Sequence, residues 1–226
     1  MARQARMIIP GVPHHVTQRG NRRERIFLEP DDEAIYLELM RRRLERHGVA
    51  CWAYCLMPNH VHFILMPTDE TGLARAIGEA HRRYAAFVGA RGGWTGHLFQ
   101  ARFASFAMDD AHFLNALRYL AFNPVRAGLA ASPQAWLGLA SARVLPAVTA
   151  RWPRSARRSR APRFADRIEL PLAERAALDG FDRTSPNGRP LGAPDFIAMV
   201  ERRLGRTVRP GRRRRAARRS SASWRA

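Results

Sequence analysis

The stretch VACWAYCLMPNHVHFILM, Val49 to Met66, decides the fold. Two β-rich runs, residues 49–57 and 61–66, flank Pro58-Asn59-His60, whose turn chemistry predicts an antiparallel hairpin. Alternation along the second strand puts His60 and His62 on one face and Val61, Phe63 and Leu65 on the other. Ile64 and Met66 continue the histidine side in apolar form, so the imidazoles are expected at the mouth of a cleft rather than on an open surface. Two ring nitrogens so aligned can share one divalent ion, although histidines spaced by one residue are also ordinary strand residues. Cys51 and Cys55 fall on odd positions of the first run and are expected to point the same way. With no matching pair elsewhere, neither a disulfide framework nor a structural zinc is expected.

Working outward, residues 14–19 read as a strand and residues 25–28 as a further short one before Pro30. Asp31 and Asp32 supply capping chemistry for a helix with Ile35, Tyr36, Leu39, Met40 and Leu44 at helical spacing and Gly48 as its stop. After the hairpin, a second helix begins near Thr71. Its stripe is Leu73, Ile77, Ala80, Tyr84 and Phe87, its exposed face carries Arg75, Arg82 and Arg83, and it ends at the glycines of residues 89–93. Residues 98–108 alternate as a strand, and Asp109 or Asp110 caps a third helix on Phe113, Leu117 and Leu120. Strands and helices in this order predict an α+β fold, an antiparallel sheet with packed helices.

On the third helix, Tyr119 stands about 200° from Leu117 at 100° per residue and is expected to face away from the apolar stripe. His112 and Asn123 lie on the same line of that helix. An amide oxygen beside a phenol could supply a third metal ligand next to a nucleophile. The competing reading is that Asn123 and Pro124 are the N-cap and first residue of a further short helix.

The chain has 226 residues, 46% hydrophobic and 26% charged, enough for one sizeable core and unlike a disordered or collagen-like polypeptide. No window approaches the roughly 18 apolar residues of a membrane span, and the first residues lack the apolar stretch of a secretory signal. A cytoplasmic, nucleoid-associated protein is expected. The basic residues are 39 arginines against 19 acids, a net charge of +20, which points to a polyanionic partner. Residues 1–130 carry +5 of that charge and residues 131–226 carry +15. The expected organisation is a main domain over 1–130, a basic linker over 131–165, a small helical extension over 166–208 with a helix from Asp195 to Leu204, and a disordered arginine-rich tail over 209–226.

The residues now carry a resemblance. Leu56-Met57-Pro58-Asn59-His60-Val61-His62-Phe63, with Tyr119 and Asn123-Pro124-Val125-Arg126-Ala127-Gly128 downstream, resembles the single-tyrosine HUH transposases, in the branch associated with repetitive extragenic palindromes. Residues 13–21, PHHVTQRGN, and residues 98–103, LFQARF, resemble the same branch. The resemblance covers residues 8–130; residues 188–192, GRPLG, and the helix after them are similar to extensions of some relatives. It implies a ferredoxin-like HUH endonuclease domain that nicks single-stranded DNA at hairpin-forming palindromes and transfers strands through a 5′-phosphotyrosine. On that basis Tyr119 is the nucleophile, and His60, His62 and Asn123 hold Mg2+ or Mn2+. Two imidazoles do not favour Mg2+, which prefers oxygen.

Arg19, Arg22 and Arg23 are candidate DNA contacts because a basic run after a strand presents forks to phosphates or guanine edges. Arg102, beside Phe99 and Phe103, could hold a phosphate while a base stacks. His14 and His15 read equally as plain strand residues or as neighbours of DNA. A monomer is favoured over a dimer. Two other functions fit the same residues: a non-catalytic repeat-DNA or RNA binding protein, and a metal-dependent nuclease that uses water.

Overall fold

The computed structural model describes residues 6–136, the backbone of 139–140, and residues 188–208. Strand β1 (His14–Arg19) is followed by helix α1 (Asp32–Arg46), the hairpin β2 (Val49–Met57) and β3 (His60–Pro67), helix α2 (Gly72–Gly92), strand β4 (Ala104–Ala107) and helix α3 (Asp110–Arg126). A two-residue strand β5 (Leu139–Ala140) and helix α4 (Pro194–Leu204) complete the described elements. The sheet order is β4-β1-β3-β2-β5, and its pairings are antiparallel. A β1-α1-β2-β3-α2-β4 chain on a sheet ordered 4-1-3-2 is the ferredoxin-like arrangement.

The hairpin's alternation sets the two layers. Val61, Phe63 and Leu65 join Val16, Tyr36, Met40, Ile77 and Tyr84 in a core under α1 and α2. Ile64, Met57 and Cys55 face α3, with Phe106, Phe113, Ala116, Tyr119 and Leu120. Burying each large apolar side chain contributes about 1.5–3 kcal/mol, so both faces are held firmly and His60 and His62 are fixed on the α3 side.

Several sequence expectations change. The pairing slips between Cys51 and Ala53, a β-bulge. Cys51 therefore packs toward the α1/α2 core and Cys55 toward α3, on opposite faces rather than one. Residues 25–28 are not a strand: the N–H of Ile26 donates to the Pro58 carbonyl, and those of Leu28 and Glu29 donate to the Asp32 carboxylate. The strand expected over residues 98–108 is confined to β4, because residues before it are tied singly to β1, with Gln100 N–H donating to the Arg19 carbonyl and the Gln18 amide donating to Ala101. In α2, which runs on to Gly92, Val88 is buried and Phe87 is exposed under Arg91.

Helix α3 does not stop at Asn123-Pro124. It continues to Arg126 with Pro124 inside it, and the Ala127 N–H donates to the Asn123 carbonyl before Gly128 turns the chain at φ +70°. Asn123 is thus a mid-helix residue and not a cap. Residues 188–208 lie along the other edge of the sheet. Leu191 exchanges backbone hydrogen bonds with Ala107 and Asp109, and α4 buries Val200 with Met7, Ile9 and Val12. Residues 137–138 and 141–165 of the 131–165 linker, residues 166–187 of the extension and the tail over 209–226 lie outside the described residues. No helix among the described residues is long and apolar enough to cross a membrane.

Candidate active site

Strands β1 and β3 build the floor of the site. Their register sets Arg19 opposite His60 and Thr17 opposite His62, so these side chains share the α3 face, joined by His15. The His60 and His62 ring centroids are 4.9 Å apart. Helix α3 lowers Tyr119 onto them, its ring 5.3 Å from His62 and 5.8 Å from His15. Tyr119 is buried alongside Phe113, Ala116 and Leu120, which corrects the expectation that it faces away from the apolar stripe. Leu117 is only half-buried, on the flank; small Ala116 marks the true centre of the buried face. Asn123, one turn beyond Tyr119, is also buried. His112 does not join them: it sits at the start of α3, where its N–H and ring Nδ1 bind Asp109 Oδ1.

The donor set suits a divalent ion. Burial, with the nearby His15, His60 and Arg19, holds the His62 pKa well below its ordinary value, so the ring is neutral at physiological pH, as a ligand must be. His62 Nε2 and the Asn123 amide nitrogen are buried with no hydrogen-bond partner among the described residues. Such orphans are costly in a closed fold. A cation would satisfy the imidazole lone pair, and the amide, turned over, would offer its oxygen. His60 Nδ1 lies 2.6 Å from Asn59 Oδ1, an acceptor, so a neutral ring here carries its proton on Nδ1 and its lone pair on Nε2. Among the described residues no three His, Cys, Asp or Glu side chains are placed to hold a metal ion together, so a divalent ion here would rest on two imidazoles and a neutral amide.

Positive charge stands beside this floor. The Arg126 guanidinium sits 5.5 Å from the Tyr119 ring centroid, a residue the sequence reading passed over although it lies two helical turns past the tyrosine. Arg19 is exposed beside His60. Arg22 and Arg23 are exposed in a short 3-10 turn and hold left-handed backbone, φ 51° and 65°. That turn folds back tightly enough that a Cβ on Gly20 would collide with the Glu24 carbonyl oxygen, and Asn59 fastens it to the hairpin by donating to the Arg23 carbonyl. Arg22 and Arg25 line an open groove of about 700 Å³ with His97 and Trp94, and Trp94 is 60% exposed. The sequence signal for Trp94 was a lone indole in a glycine-rich loop.

Arg102 is exposed on the segment before β4. Phe103 is buried under the Arg6 guanidinium, and Phe99 stacks on His81, so both rings serve packing. His14 is structural: buried, it accepts from Ile9 N–H and bonds the Val12 carbonyl.

A family model described as IS200-like transposase matches residues 10–123. No curated protein matches the chain. A solved structure of a REP-associated tyrosine transposase bound to a REP hairpin is similar at 18% identity and a TM-score of 0.53, covering 68% of this chain and 89% of the other. A protein of Deinococcus radiodurans R1 assigned as a transposase is 16% identical with a TM-score of 0.38, over 58% of this chain and 100% of its own.

Proposed function

The chain belongs to the IS200-like transposase family, and from that premise we propose that it nicks single-stranded DNA beside a hairpin by forming a covalent bond to Tyr119, then rejoins strands from that bond. The observation that carries this reading is the meeting of a tyrosine ring with a buried, neutral histidine, 5.3 Å between centroids, with Arg126 over the tyrosine and Arg19 opposite the neighbouring His60. After losing its proton, the Tyr119 oxygen attacks the scissile phosphorus in line. An O–P bond forms, the bond from phosphorus to the 3′-oxygen breaks, and that oxygen leaves as a 3′-OH. The 5′-phosphotyrosine retains the energy of the phosphodiester, so a 3′-OH from another end can reverse the step without ATP.

His60, His62 and Asn123 are the residues that would hold Mg2+ or Mn2+. When bound, such an ion polarises a phosphate oxygen and stabilises the charge that develops on it. Arg19, set opposite His60, grips the phosphate entering the site. Arg126 holds the tyrosine ring from above. Arg22 and Arg23, fixed in a backbone conformation that costs about 1–2 kcal/mol per residue, are stationed to meet the strand. The groove of Arg22, Arg25, His97 and Trp94 takes unpaired nucleotides, with the indole as a stacking surface. Arg102 contributes a phosphate contact. A relative bound to a REP hairpin supports a hairpin substrate here.

Tyr119 and both histidines meet within one chain, which supports action as a monomer. All of these groups lie within residues 1–130, which form the catalytic domain; 131–165 is its linker, 166–208 its extension and 209–226 its arginine-rich tail. Acting on DNA, the protein works in the cytoplasm, at the nucleoid. The test is to incubate purified protein with a hairpin oligonucleotide and Mn2+ and run a denaturing gel. A covalent protein–DNA band is expected. Absence of cleavage would favour a DNA- or RNA-binding role, and cleavage without the band a nuclease that uses water.

A further inference from the structure

His15 is almost wholly buried, 1% exposed, edge-on to Phe106 and beside His62. Its Nε2 lies 3.1 Å from His62 Nδ1, and the two ring planes differ by 17°. Near-coplanar rings meeting nitrogen to nitrogen describe an N–H···N hydrogen bond, which needs one donor and one acceptor. We propose that His15 is a positioning residue that fixes the tautomer of His62, holding its Nδ1 as the donor and so presenting Nε2 as a lone pair to a divalent cation. This rests on the reading that His60 and His62 hold such an ion.

The argument turns on where a neutral imidazole keeps its single proton. If His15 donates, His62 accepts at Nδ1 and must carry its proton at Nε2. A protonated nitrogen cannot ligate, so that arrangement shuts His62 out of a metal site. If His62 donates, its Nε2 is an acceptor whose missing partner is the cation, and His15 carries its own proton at Nδ1. Asn59 does the same for His60, since an amide oxygen 2.6 Å from Nδ1 can only accept. Both histidines are thereby held from the Nδ1 side and aimed with Nε2. Metal-bound histidines are commonly steadied in this way, and loss of the supporting contact costs about 10–100-fold in affinity.

The experiment has two readouts that need no DNA. Long-range proton–nitrogen NMR correlations on the full chain without metal are expected to place the His62 proton on Nδ1. Calorimetric titration with Mn2+ alone is expected to show 10–100-fold weaker binding for His15→Leu and near-native binding for His15→Gln, whose amide oxygen can accept in place of Nε2. A His62 proton on Nε2, or His15→Leu binding Mn2+ within about twofold of the native protein, overturns the inference. Should His15→Leu not fold, the NMR result on the native chain decides alone. A native protein that binds no Mn2+ would instead overturn the metal reading, while leaving the tautomer measurable.

Discussion

Tyr119→Phe separates chemistry from folding better than any other change at this site. The ring is 3% exposed and sits 5.3 Å from His62 and 5.8 Å from His15, with Arg126 over it. Phenylalanine keeps the ring, its edge contacts and the cation above it, and removes one oxygen. A single hydroxyl and its hydrogen bond are worth about 0.5–1.5 kcal/mol, which for a chain of this size shifts the melting temperature by roughly 2–4 °C per kcal/mol. Tyr119→Ala would empty the space of an aromatic ring, typically about 3–5 kcal/mol, and would confuse lost chemistry with lost fold. The phenylalanine variant is therefore expected to melt within a few degrees of native and to bind a hairpin oligonucleotide with nearly native affinity, yet to give no covalent band on a denaturing gel with Mn2+. A covalent band from this variant, or strand cleavage at the native rate without one, would refute the assignment of Tyr119 as nucleophile.

At Asn123, a residue inside α3 and not a cap, Asn123→Asp should retain cleavage because it keeps an oxygen at the same reach, whereas Asn123→Ser should lose at least the roughly 10–100-fold seen when a metal site loses a supporting contact; native cleavage by the serine variant counts against a ligand role. Arg19→Ala removes the cation opposite His60 and should lower the salt dependence of binding to single-stranded DNA by about 0.7 log units per log unit; an unchanged slope in a fluorescence titration would remove Arg19 from the DNA path. Asp32 is buried, its carboxyl held down to about 2 from 3.8 first by the Arg91 guanidinium. A lowered folded-state pKa stabilises above the unfolded value and ceases to do so as pH falls through the folded one, so the stability penalty of Asp32→Asn should be full above about pH 4 and fade toward about 2. Denaturant melts across that range, with a penalty independent of pH, would contradict the pairing.

The histidine pair was legible because a strand's period of two leaves no freedom once the other face is apolar. The sheet and its two-layer packing followed from the same alternation. What the sequence hid is of another kind. Nothing local distinguishes a β-bulge at Trp52 from a regular strand when every residue around it is apolar, yet the bulge sends Cys51 and Cys55 to opposite faces. Ala116 carries no hydrophobic signal to mark it as the centre of α3's buried face, so Tyr119 looked misplaced. Pro124 suggested a helix start because proline suits a first turn; here tertiary packing carries the helix through it. Residues 25–28 and 98–103 resemble strands in composition, but their backbone partners are a carboxylate and single carbonyls far away in sequence. His15 read only as a strand residue or a neighbour of DNA, since its place beside His62 comes from a register with β3 that only the folded sheet supplies.

The pairing of Leu191 with the outer side of β4 makes the order of synthesis matter. Every group gathered around Tyr119 lies at or before Arg126, whereas Leu191, which covers the β4 edge, comes about sixty-five residues later in the chain. At about 5–20 residues per second, a ribosome takes several seconds or more to make the intervening stretch. Throughout that interval the nascent chain carries every residue proposed for the reactive centre beside an open strand edge, a surface on which another emerging copy could add a strand. A message cut short between those two points would yield a protein that keeps every proposed catalytic residue and leaves its edge unguarded, so for this chain a late truncation threatens solubility first.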